Sequence, residues 1–270
     1  MLPSFETLEL EIEDKVATVT LNRPDKSNAM NTSMWADIHN CFNWLDSELS
    51  VRAVVLAGAG KNFCSGLDLD MFQNLHEGSS DPARVAESVR QSVLKLQSNL
   101  TSIETCRKPV LAAVQRACIG GGVDMISCCD MRYACQDTYF SIREIDIGMT
   151  ADVGTLQRLP KLIPDGVARE LAYTGRKMNG SEAKEVGFVN FVFDDYPALL
   201  SGVKDVAKEI ACKSPISIRG TKEMLLYSRD HSVHDGLNYI ATWNAGMLSQ
   251  QDLMAGITAQ AERKVADYED

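Results

Sequence analysis

The sequence predicts an α/β fold closed by a helical C-terminal region. Short apolar runs bounded by turn residues alternate with amphipathic stretches as far as about residue 195, and from Tyr196 onward the pattern is helical throughout. Within the alternating part lies the stretch the chain is organised around, Lys108–Asp152. The apolar run Val110–Val114 reads as a buried strand, three consecutive glycines follow (Gly120, Gly121, Gly122), and Val123–Cys129 reads as a helix. The 270 residues fit one large domain with an appendage: residues 1–195 as the alternating core domain and 196–270 as helices.

Taken in order, Phe5–Ile12 alternates as an edge strand, Asp14-Lys15 makes a turn, and Val16–Leu21 is a second strand. Asn22–Lys26 is a loop. Thr32 or Ser33 is the expected cap of a helix whose apolar residues Met34, Trp35, Ile38, Phe42 and Leu45 recur at helical spacing. Ala53–Ala57 is a buried strand. His76–Asp81 is polar and reads as a loop. The next helix carries Val85, Val89, Val93, Leu96, Leu100 and Ile103 on one face, which is expected to pack into the core. Val153–Leu159, Val167–Tyr173 and a segment opening at Ser181 are short helices, Val189–Val192 is a last strand, and Ser214-Pro215 interrupts the C-terminal helices.

Composition narrows the function. The net charge is −10, with no basic stripe and no block of like charge, which argues against nucleic-acid binding as the main role. No run of 18 apolar residues exists, so no membrane span is expected. None of the eight cysteines forms a C-x-x-C pair, and most lie in apolar runs, which points to buried free thiols and no metal site. The acidic opening MLPSFETLELEIED lacks a signal or transit pattern and the chain ends in Tyr268-Glu269-Asp270, so a cytoplasmic protein is expected.

Chemistry concentrates after Gly120. Glycines between a strand and a helix let the backbone approach a ligand and present N–H groups at a positive helix end. Asp124, Glu144 and Asp152 follow. Donors beside several acids suit a carbonyl that becomes an enolate while protons move. Each acid also has a structural reading: Asp124 as a helix-start acid, Asp152 as the cap of the helix at Val153, and Glu144 on a solvated strand face with Arg143 and Asp146. Gly58-Ala59-Gly60 lacks the third glycine of a dinucleotide fingerprint. Cys64 and Ser65 lie outside a nucleophile elbow, and the four histidines lie outside recognisable triad motifs.

With GGGVD, FSIREIDIGMTADVGTLQRLPKLI, KSPISIRGTKEMLLYSRDHSV and DGLNYIATWN, the chain resembles the crotonase (enoyl-CoA hydratase/isomerase) superfamily from about Val16 to Lys264, and within it the delta(3,5)-delta(2,4)-dienoyl-CoA isomerases. The resemblance implies a crotonase-type spiral of ββα units with a helical C-terminal trimerisation region, and a homotrimer or homohexamer. It implies backbone oxyanion donors at Leu67 and Gly121, and catalytic acids at Glu144, Asp152 and Asp124. Hydratases of the family usually carry glutamate at the positions of Asp124 and Glu144 and lack the third acid, so Asp152 favours the isomerases. An acyl-CoA substrate is implied, with no separate cofactor, since coenzyme A enters as part of the substrate. Arg23, Lys26 and Lys61 lie in loops near the expected nucleotide end, where each reads either as a partner of its phosphates or as ordinary surface charge, and the first part of the helix carrying Val85 could line an acyl pocket. The alternatives are an enoyl-CoA hydratase and a non-catalytic acyl-CoA-binding protein.

Overall fold

β1 (Leu8–Glu13) and β2 (Val16–Leu21) form an antiparallel hairpin. Its turn residues Asp14 and Lys15 sit at φ 51° and 63°, the left-handed pair whose twist matches flanking strands. α1 (Thr32–Ser47) leads to β3 (Ala53–Gly58), and α2 (Pro82–Thr105) leads to β4 (Val110–Val114). The structure, a computed structural model, describes residues 2–74 and 81–270. The loop expected at His76–Asp81 therefore falls, apart from Asp81, outside the described residues.

After β4 come β5 (Ala117–Ile119), α3 (Gly121–Ser127), β6 (Met131–Cys135) and β7 (Tyr139–Ser141). Then follow α4 (Thr155–Arg158), α5 (Asp165–Thr174), β8 (Met178–Asn179), α6 (Gly180–Glu185) and β9 (Phe191–Phe193). Four helices complete the chain: α7 (Tyr196–Ala211), α8 (Pro215–Asp230), α9 (Val233–Met247) and α10 (Gln250–Glu262). The main sheet has the order β1-β2-β3-β4-β6-β9, parallel from β2 onward; a smaller sheet has the order β5-β7-β8. This is the mixed α/β architecture with a helical end that the sequence predicts.

The central strands read as continuous apolar runs because both faces of the main sheet are covered. Val54, Leu56, Val110, Ala112 and Val114 enter one core with α1 and α3, while Ala53, Val55, Ala57, Leu111 and Ala113 enter a second core. α7 closes that second core with Leu199, Val203, Ala207 and Ala211, a strict four-residue spacing along one helical face. Its N-cap is Asp195, whose side chain accepts the Ala198 N–H.

Two local expectations need correction. Asn31, not Thr32 or Ser33, caps α1, its side chain accepting the Met34 N–H at 3.0 Å. In α2 only the C-terminal end of the apolar stripe enters the core: Leu100 and Ile103 are buried, but Val89 is exposed and Val85 and Val93 are half-exposed. Helical spacing shows which residues share a face, not how far along the helix something covers it.

Seven of the eight cysteines are buried and Cys212 is exposed; all are free. Burial pushes the Cys64 thiol up to about 12, which makes it an inert core residue and not a nucleophile.

Candidate active site

Leu67 and Gly121 are far apart in sequence, and two short backbone pairings bring them together. Cys64 bridges Cys118, with Cys64 N–H donating to Ala117 O and Ile119 N–H to Cys64 O, both at 3.0 Å. Met30 bridges Leu67 from the other side: Met30 N–H donates to Gly66 O at 2.8 Å and Asp68 N–H to Met30 O at 3.1 Å. This pairing turns the Leu67 N–H away from Met30. A Cβ on Gly121 would lie 3.8 Å from Leu67 N, so the two amides are neighbours. Among the described residues neither N–H donates to a protein acceptor, and Gly121 is the first residue of α3, where the N–H groups have no intrahelical partner. Two unpaired amides side by side at a helix start are placed to donate to a developing negative charge.

Asn28 was not singled out by sequence reasoning. It sits at φ 53°, fully buried. Its Nδ2 donates to Ala59 O (2.9 Å), Asn62 O (2.9 Å) and Phe63 O (3.0 Å), and its Oδ1 accepts from Arg23 N–H at 2.9 Å. It ties the loop after β2 to the loop after β3, and so fixes the segment that carries Leu67. These bonds also give Gly58-Ala59-Gly60 a structural role; no helix starts there.

Glu144 lies against the glycine turn. Gly120 sits at φ 51°, and a Cβ there would be 3.0 Å from Glu144 Oε1. Glycine is needed for both the backbone angle and the carboxylate's approach. Glu144 opens a short 3-10 turn, Glu144–Ile147, instead of lying on a solvated strand face, and its Oε2 is buried without a hydrogen-bond partner. Burial, then the neighbouring Asp124 carboxylate, push it up to about 7. Arg143 and Asp146 form an outward-facing ion pair at 2.8 Å.

Asp124 keeps its expected place in the first turn of α3 and also takes the capping role expected of Asp152. Asp124 is fully buried on α3, and its Oδ1 accepts the Thr155 N–H at 2.6 Å. Gly154 is the N-cap residue of α4 and offers no side chain, so a carboxylate 31 residues upstream does the capping and Asp152 does not. Burial pushes Asp124 up to about 6 against the pull of that bond, and Asp152 adds to the rise. The Asp152 side chain is half-buried and its pKa is raised, mainly by desolvation; its backbone carbonyl accepts Gln97 Nε2 at 2.6 Å, which holds the turn against α2. The fold thus brings all three acids within electrostatic reach of one another. They cannot all ionise easily near neutrality, and their protons belong to the group as a whole.

The three cations expected to meet phosphates lie on the loops beside this site. Arg23 is held by Asp68 Oδ2 at 2.9 Å and by Ala29 O, while Lys26 and Lys61 are exposed. The Arg23 guanidinium therefore braces the loop that carries Leu67.

The enoyl-CoA hydratase/isomerase family model matches residues 11–270. A Mus musculus protein named Delta(3,5)-Delta(2,4)-dienoyl-CoA isomerase, mitochondrial, is 46% identical over 265 residues, covering 97% of this chain and 81% of the relative. A peroxisomal protein of the same name from Arabidopsis thaliana is 42% identical over 269 residues, covering 97% of each. Among solved structures, the enoyl-CoA hydratase of Bacillus anthracis superposes with a TM-score of 0.88 at 29% identity, covering 98% of this chain and 99% of that one. The two organellar names overturn the expected cytoplasmic location. An address is a short segment read by a receptor and plays no part in packing, so the absence of a recognised pattern at either end does not fix the location.

Proposed function

The chain belongs to the enoyl-CoA hydratase/isomerase family, and from that premise we propose that it isomerises a 3,5-dienoyl-CoA to the 2,4-dienoyl-CoA. The observation that carries this reading is the third acid: Asp152 stands beside Asp124 and Glu144, free of the capping role that would otherwise explain it. The names of the mouse and Arabidopsis relatives support it.

In this reading the thioester carbonyl accepts the N–H groups of Leu67 and Gly121, which stabilises the enolate formed when a C2 proton leaves. Glu144, desolvated and held against Gly120, takes that proton. The charge spreads along the conjugated chain, and Asp152 in its protonated form returns a proton at C6. The acyl chain would cover the half-exposed Asp152 and favour its neutral form further. Asp124 holds the turn that carries Asp152 through the Thr155 N–H. Lys26 and Lys61 would meet the phosphates of coenzyme A; no separate cofactor is invoked.

The deciding assay offers the purified protein a 3,5-dienoyl-CoA and a 2-enoyl-CoA and follows absorbance of the conjugated dienoyl thioester. Hydration without isomerisation would favour a hydratase, the activity named for the Bacillus structure. Neither activity would favour a binding protein.

The pH dependence separates the two proton transfers. Exchange of C2 hydrogen with solvent needs only ionised Glu144, which is raised to about 7. Exchange is therefore expected to fall about tenfold per pH unit below that value and to level off above it. Exchange that does not change between pH 5 and 8 would remove Glu144 as the base.

We also propose a homotrimer or homohexamer joined through the C-terminal helices. Leu225, Leu237, Leu253 and Ile257 are each about half exposed or more, and a cleft of about 730 Å³ opens between α8, α9 and α10. That is more apolar surface than a solvated appendage needs. Sedimentation at micromolar concentration is expected to give three or six protomer masses; a single protomer mass would reject the assembly.

A further inference from the structure

Arg158, the cation that favours the ionised form of Asp124, belongs to a chain of contacts that the proposed chemistry leaves unused. Glu104, at the end of α2, is 9% exposed and pairs with two arginines from different helices. Arg158 of α4 donates to it through Nε (3.1 Å) and Nη2 (3.0 Å), and Arg229 of α8 through Nη1. Arg158 Nη2 also reaches Thr101 Oγ1 at 3.4 Å. The guanidinium of Arg158 lies over the Cα of Gly154, where any Cβ would run into it, and Gly154 holds φ 131°. Beyond Gly154, the Thr155 N–H clips Asp124 Oδ1 at 2.6 Å, and Asp152 stands at the start of the same turn. A second tie, Lys161 to Asp230, fastens the segment after α4 to the end of α8. The turn that carries Asp152 and clips Asp124 is thus seated on an arginine whose own place is set by α2 and α8.

We propose that Arg158 is the positioning residue of the acid cluster: seated by Glu104 and Arg229, it holds the 152–155 turn and supplies the positive charge that balances Asp124. This rests on the isomerase reading for its catalytic meaning, but its electrostatic content does not. Asp124 is faced by Glu144 from the 3-10 turn, Asp152 from its own turn, Arg158 from α4, and the thiols of Cys118 and Cys128 from β5 and the end of α3. Of these, Arg158 favours the ionised form of Asp124 and Asp152 disfavours it. Glu104 in turn offsets part of the charge on Arg158.

Two conservative substitutions should therefore move the cluster in opposite directions. Arg158→Met removes the cation, so the buried carboxyls should titrate about one pH unit higher. Glu104→Gln keeps the shape but leaves the Arg158 charge unopposed, so they should titrate lower. Arg158→Lys should return most of the wild-type value. The readout is infrared titration of the carboxylic acid band in the unliganded protein, with circular dichroism to confirm the fold. Isomerase turnover at neutral pH should fall about tenfold in Arg158→Met and recover in Arg158→Lys. Shifts of opposite sign support the proposal, because general loosening of the turn would move both variants the same way. If Arg158→Met does not fold, the Glu104→Gln shift decides alone: downward supports the proposal, none or upward overturns it. An unchanged titration in folded Arg158→Met also overturns it. Opposite shifts in a protein whose wild type isomerises no dienoyl-CoA would instead reject the functional reading and leave the positioning role standing.

Discussion

Glu144→Gln is expected to lower dienoyl-CoA isomerisation by about 10³–10⁴-fold, the upper range for a positioned acid–base group. The amide matches the carboxylate in shape and still fits against Gly120, so the glycine turn and the Leu67 and Gly121 amides should stay in place. What disappears is the base itself. Without it no C2 proton leaves, so exchange with deuterated solvent should vanish together with turnover. Substrate binding should persist, because the oxyanion donors are backbone groups.

Stability should move the other way. Glu144 is raised from 4.5 to about 7, so between those values the folded protein holds a proton that the unfolded chain has released. Wild-type stability therefore falls as pH rises through that window and stays lower above it, by on the order of 3 kcal/mol. Glutamine carries no charge to desolvate, although its buried amide recovers only part of that difference. Thermal unfolding at pH 8 should find the variant at least as stable as wild type, while at pH 4 the advantage should disappear. A variant that loses activity and also unfolds more easily at pH 8 would point to a structural glutamate.

Parts of this site are legible in the sequence and parts are not, for physical reasons. The runs at Val16, Ala53 and Val110 announce strands because both sheet faces are covered and every position is apolar. β5, β7 and β8 have only two or three residues, too few for alternation to register, so the smaller sheet goes unseen. Yet β5 carries the chain into Gly120 and β7 leads to Glu144. The sequence places the cap of α4 next to it, at Asp152, whereas the group that meets Thr155 lies on α3. Sequence adjacency ranks local partners first, and a tertiary cap has no local signal. Asn28 gives no local signal for a similar reason: its four backbone bonds reach as far as 35 residues away. Its one visible cue is an asparagine in a loop, a residue type that tolerates the left-handed region. The three acids and the three glycines were visible as residues; their electrostatic coupling exists only once β7, α3 and the turn before α4 converge.

Asp152→Asn separates an isomerase from a hydratase built on the same fold. If Asp152 delivers the C6 proton, asparagine keeps its size but removes the transferable proton, and isomerisation should fall by about 10²–10⁴-fold. The first half of the reaction should survive. Glu144 and the two backbone amides are untouched, so C2 exchange should continue in the variant while the double bonds stay where they are. Its pH dependence should also shift. The Asp152 charge raises both Glu144 and Asp124, so removing it should let Glu144 ionise at lower pH and carry exchange further into acid. A purely structural Asp152 predicts none of this. The cap position is Gly154 and the Thr155 amide is met by Asp124, so an asparagine at 152 would change neither the helix start nor turnover. Isomerisation near the wild-type rate in a correctly folded Asp152→Asn protein would remove Asp152 from the mechanism. Loss of exchange as well as turnover would show that its charge is needed to place the base, and would move the C6 proton to another donor.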